Sequence, residues 1–108
     1  MKSAVIIKTS GEIVHLDLKA SDELEALQSA VGGWIEAVDL SEELTMWVNE
    51  EGKIKGLDLN SIATALFDKH FENSFDVIVG DIVLTGGTNS KGNTVGLTAK
   101  QLRGFGIA

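Results

Sequence analysis

The sequence predicts an α+β domain, built as a mainly antiparallel sheet with two helices in the order β-β-α-β-β-β-α-β-β. Three observations lead there: strand-like runs come in neighbouring pairs joined by short polar turns, two stretches with helical spacing follow good capping residues, and there is no proline to break either kind of element. The chain forms one domain, residues 1–108, because this length is too short for two independent cores. With 44% hydrophobic and 23% charged residues it has a globular composition, which excludes a wholly disordered chain. A domain of this size buries about two-thirds of its unfolded surface and needs neither metal nor disulfide support.

Lys2 to Lys8 contains a β-branched run, and Ser10-Gly11 marks a turn before Ile13, Val14, Leu16 and Leu18, so the chain opens on a β-hairpin. Ser21 is the expected N-cap of a helix over residues 22–31, with Asp22, Glu23 and Glu25 complementing its dipole. Gly32-Gly33 stops it. Trp34 to Leu40 and Leu44 to Asn49 read as strands paired across Ser41-Glu42-Glu43. That pairing puts Trp34, Glu36, Val38 and Leu40 on one face with Leu44, Met46 and Val48, which is the more core-like face. Ile35, Ala37, Asp39, Thr45, Trp47 and Asn49 share the other.

Asn49 to Gly52 fits a type I turn closed by a left-handed glycine, with Lys53 to Leu57 returning as a short strand that sets Ile54 opposite Val48. Asn60 caps a second helix reaching about residue 70 and broken by Asn73-Ser74; Ile62, Ala63, Leu66 and Phe67 form its apolar stripe. Val77 to Leu84 is apolar on both alternating faces, as a central strand is. Gly80-Asp81 either lies within that strand or forms a turn into Ile82 to Thr85. Gly86 to Asn93 is a mobile hairpin tip, Thr94 to Leu97 the returning strand, and Thr98 the cap of a terminal helical turn, Ala99 to Arg103.

The net charge of −7 is unevenly distributed: residues 1–20 carry +1, residues 21–60 carry −8 and residues 61–108 are neutral. Arg103 is the only arginine. Direct nucleic-acid binding is therefore not expected, since phosphate affinity needs clustered Lys and Arg. No apolar run approaches the roughly 20 residues of a membrane span and no cleavage-site pattern opens the chain, so the expectation is a cytoplasmic protein without membrane contact.

Chemistry has few candidates. The absence of cysteine excludes thiolate metal sites and thiol nucleophiles. His15 and His70 have no ligand or base at a characteristic spacing, so no catalytic residue, metal or cofactor is expected. Asp76 and Asp81 read as a solvated carboxylate and a turn residue. Trp34 is expected in the core. Trp47, on the mixed face, is a candidate contact residue, flanked by an acidic band of Asp39, Glu42, Glu43, Glu50 and Glu51. Such a band is either a plain solubilising face or a surface that steers a basic partner. A second candidate is an anion site from Gly86, Gly87, Lys91 and Arg103, although Lys91 precedes Gly92 and no helix opens behind it.

Gly32-Gly33-Trp34-Ile35-Glu36-Ala37-Val38, Asn49-x-x-Gly52, Gly56-Leu57, Asn60-x-x-Ala63-Thr64-x-Leu66, Val79 to Gly86 and Gly96-Leu97-Thr98 occur in an order that resembles a small family of bacteriophages, plasmids and bacterial genomes. That family is known only as a domain of unknown function. The resemblance supplies no catalytic residues. It implies a setting in which small acidic proteins act by binding, as counter-defence inhibitors such as anti-CRISPR proteins. On that basis we expect a non-enzymatic binder of a basic surface on a host defence protein, using Asp39, Glu42, Glu43, Trp47, Glu50 and Glu51. The alternatives are a sponge for a nucleotide immune signal, seated in a homo-oligomer interface with Gly86, Gly87, Lys91 and Arg103 as its contacts, and an accessory domain with no autonomous activity.

Overall fold

The computed structural model describes residues 1–72 and 76–107. Its elements are β1 (Lys2–Ile7), β2 (Ile13–Leu18), α1 (Glu23–Val31), β3 (Ile35–Ser41), β4 (Leu44–Asn49), α2 (Ser61–His70), β5 (Ile82–Thr85) and α3 (Ala99–Gly104). The α+β class holds, with, among the described residues, a single antiparallel sheet of five strands ordered β2-β1-β5-β4-β3 and three helices. No helix among the described residues is long and apolar enough to cross a membrane.

The sheet separates two apolar layers because its side chains alternate. Ala4, Leu18 and Val83 face α1, where they pack with Leu27 and Val31. Val5, Ile7, Met46, Ile82 and Leu84 face the opposite way and meet Ala63 of α2, with Leu66 and Phe67 alongside. All four residues of β5 are buried, which is why that stretch is apolar on both faces. The β3–β4 register pairs Glu36 with Val48, Ala37 with Trp47 and Val38 with Met46, so the face assignment read from alternation is correct.

Asn60, fully buried, explains why α2 starts where it does. Its Oδ1 accepts from the Ala63 N–H at 3.1 Å, and its Nδ2 donates to the Ile7 and Gly80 carbonyls, each at 2.9 Å. One side chain thus joins helix, sheet and the Gly80 turn. α1 ends as expected, at Gly32 in the left-handed region with φ +80°. Its N-cap is Asp22, not Ser21, and makes no side-chain capping bond. α2 ends at His70, capped by Phe71; the Asn73-Ser74 break lies outside the described residues.

Four other expectations are corrected. Lys53 to Leu57 is a series of turns closed by Lys55 N–H to Glu51 and Gly56 N–H to Lys53 bonds, and not a strand. Both edges of β4 are already taken by β3 and β5, which leaves no vacancy opposite Val48 and leaves Ile54 87% exposed. Gly52 closes its turn without a positive φ and is there for space, a Cβ meeting Val79 at 3.0 Å. Thr94 to Leu97 makes one bridge, Thr88 to Thr94, and then runs beside β1, where the Leu97 N–H donates to the Ser3 carbonyl. Trp34 is 64% exposed, because it enters the outermost strand of the sheet with no further strand beside it among the described residues. The long apolar run divides at Gly80 (φ +78°), so the turn alternative applies and the strand is Ile82–Thr85.

Candidate functional site

Being outermost, β3 exposes Glu36, Ala37 and Asp39. The loop after it carries exposed Glu42 and Glu43 and is tied down on several sides. Ser41 Oγ accepts from the Glu43 N–H at 3.1 Å, and the Gln101 amide donates to the Glu43 carbonyl at 2.9 Å. Gly87 passes so close beneath that a Cβ there would stand 1.9 Å from the Glu42 carbonyl oxygen. Asp39 accepts from the Thr45 hydroxyl at 3.1 Å and shares a shallow depression with Ser41, Glu42 and Thr88. At the other end of β4, buried Asn49 orders the second acidic loop by accepting from the Glu51 N–H at 2.8 Å while donating to the Val31 carbonyl at 3.1 Å.

The six residues expected to act together are thus divided. Asp39, Glu42 and Glu43 lie at one end of β4 and Glu50 with half-buried Glu51 at the other, six strand residues or roughly 20 Å away. Glu36 and Asp39 on β3 bridge the gap along the outer edge. Trp47 is half-buried in the α1-facing layer, and its indole N–H donates to Thr85 Oγ1 at 2.9 Å. The exposed tryptophan is Trp34, which lies next to β3.

Sequence reasoning missed a cleft of about 280 Å³ on the α2 side of the β3–β4 end. Val38, Val48 and Phe67 give it an apolar floor, the exposed Ile54 and Val77 an apolar lip, and Glu36, Glu50 and Asp76 an acidic rim. Lys53 lies among them and is ion-paired with Asp76. The hydrogen bond from Lys53, then that from the Val77 N–H, hold the Asp76 carboxyl below the usual carboxylate range. The exposed Ile54 and Val77 are the signal for this cleft, and it depends on knowing that residues 53–57 are not a strand.

The alternative anion set has a different placement. Gly86 and Gly87 are buried instead of forming the tip, whereas Lys91 and Arg103 are exposed. At the tip itself, Asn89 Oδ1 accepts from the Lys91 and Asn93 N–H groups at 2.9 and 3.0 Å, occupying the amides an anion would use. Ser3, His15 and Asp17 come together, but both contacts fall on one ring nitrogen, His15 Nε2 lying 3.3 Å from Ser3 Oγ and 3.5 Å from Asp17 Oδ1. A nucleophile relay needs the acid on the other nitrogen. Among the described residues no group of three or more His, Cys, Asp or Glu is arranged to hold a metal ion.

The profile of a family described as a domain of unknown function, DUF3846, matches residues 1–106. The chain belongs to the DUF3846 family. No curated protein and no solved structure matches it.

Proposed function

We propose that this DUF3846 protein is a non-catalytic binding protein that engages a basic surface of a protein partner through the acidic side formed by β3, β4 and their loops. The observation that carries this reading is the line of exposed carboxylates Glu50, Glu36, Asp39, Glu42 and Glu43 along the outermost strand and its flanking turns. Residues 21–60 offset ten acids with only Lys53 and Lys55. A surface of one sign accelerates encounter with a basic partner and repels nucleic acid and acidic proteins. In the phage and mobile-element setting that the sequence resemblance implies, that partner is a host defence protein and the outcome is inhibition. The hydrogen bonds at Asn49, Gln101 and Thr45 favour the same reading, because loops held before contact lose little freedom on binding.

The test is paired capture from host lysate at low and high salt, using the wild type and a variant with Glu42, Glu43, Glu50 and Glu51 changed to Gln. The proposal expects a partner held by the wild type, released as salt rises, and lost from the variant. A partner retained equally by both proteins at both salt concentrations sinks it.

A further inference from the structure

Hydrogen-bond parity along β3 defines a surface that charge alone does not. The Trp34 carbonyl accepts from the Glu50 N–H at 2.8 Å, so Trp34 points its backbone groups at β4. Direction alternates along an antiparallel strand, so Glu36 and Val38 also point inward, and Ile35, Ala37 and Asp39 turn their N–H and C=O groups away from the sheet. The sheet order ends at β3, and among the described residues no strand pairs on that side. Three consecutive outward-facing positions, with exposed Ala37 at their centre, form an open ladder of the kind that accepts an added strand.

The acids on this strand decide what adds to it. Glu36 lies on the α2 face and Asp39 on the α1 face, three residues apart. An extended segment laid antiparallel along β3 puts a side chain opposite each. The complementary sequence therefore has two basic residues separated by two others. The residue opposite Val38 falls on the cleft side, near Ile54 and Val77, where a β-branched side chain finds apolar contact. A second copy of this chain does not fit. Every register pairing at least two of the outward positions with their own copies brings the two Glu36 or the two Asp39 carboxylates opposite or diagonal to one another.

We infer that the outer edge of β3 binds an extended basic segment of a protein partner by strand addition, recognising a basic-x-x-basic spacing through Glu36 and Asp39. This inference rests on the proposed acidic binding function and specifies how the partner is held.

The test is an NMR titration of the full chain with the capped peptide Ser-Lys-Val-Thr-Lys-Ser. Controls are the same peptide with Glu for both Lys, and a version N-methylated at the threonine that faces Ala37. Expected are saturable shifts and slowed exchange at the amides of Ile35, Ala37 and Asp39. Binding should weaken at least about tenfold on N-methylation, the loss of one well-formed hydrogen bond at a desolvated ladder. The E36K/D39K double variant should prefer the Glu peptide, and Ala37→Pro, whose lost N–H points away from β4, should keep the fold and lose the peptide. Shifts confined to the loops at Glu42–Glu43 or Glu50–Glu51, indifferent to N-methylation, overturn strand addition and leave the acidic-surface reading standing. No saturable preference for Lys over Glu peptide overturns both, and peptide-free dimerisation through the same three amides overturns the choice of occupant.

Discussion

Asn60→Ala tests the joint on which the α2 side of the fold depends. The substitution removes an N-cap, worth about 1 kcal/mol, and strips the Nδ2 donor from two carbonyls at a fully buried position: that of Ile7, which keeps its place in the β1–β5 ladder, and that of Gly80, which lies outside any strand. An orphaned buried carbonyl, here that of Gly80, costs about 1–3 kcal/mol, so the total is about 2–4 kcal/mol. Against a domain stability of about 5–15 kcal/mol that is a large share. Urea unfolding followed by far-UV circular dichroism reads it directly. With a slope of about 1–1.5 kcal/mol per molar urea, the midpoint falls by about 1.3–4 M or folding is lost. Asn60→Ser keeps an oxygen for the Ala63 N–H but is too short to reach both carbonyls, so it recovers only the cap. A loss below about 1 kcal/mol for Asn60→Ala, with an unchanged slope, refutes the assignment of this side chain as the tie between helix, sheet and turn.

Gly87→Ala sets a Cβ against the Glu42 backbone and costs about 1–3 kcal/mol by overpacking, seen as a lowered thermal midpoint together with altered Glu42 and Glu43 amide shifts. In acrylamide quenching, Trp34→Phe leaves a shielded, blue-shifted emitter and Trp47→Phe leaves an accessible one, and the reverse order contradicts the placement of the two rings. Asp76 titrates below the usual carboxylate range, and Lys53→Met moves it back up in a carboxyl-detected NMR titration. A carboxyl depressed in the folded state adds stability above its unfolded pKa and loses it as the pH falls through the folded value. Here both side chains are more than half exposed, so the titration midpoint moves and the unfolding midpoint does not.

Local chemistry made some of the fold legible. Asn60 announced a helix because a capping side chain bonds within its own turn, and strict alternation across Glu36, Val38, Met46 and Val48 fixed which residues share a face. What could not be read depended on neighbours distant in sequence. Whether Lys53 to Leu57 forms a strand is decided by β5, more than twenty residues on, taking the edge of β4 that such a strand would need. Trp34 looks like a core residue until β3 is known to be outermost, and Trp47 looks like a surface residue until Thr85 and α1 are placed around it. The acidic band was legible as composition. Its division between the two ends of β4, and the part of Glu36 in joining them, follows from strand order.

The most direct measurement is hydrogen–deuterium exchange on the full chain, alone and in complex with the partner captured at low salt. The account predicts new protection concentrated in residues 35–41, with none gained across β2 at the opposite edge. Protection of residues 88–104 with β3 exchanging as in the free chain contradicts it.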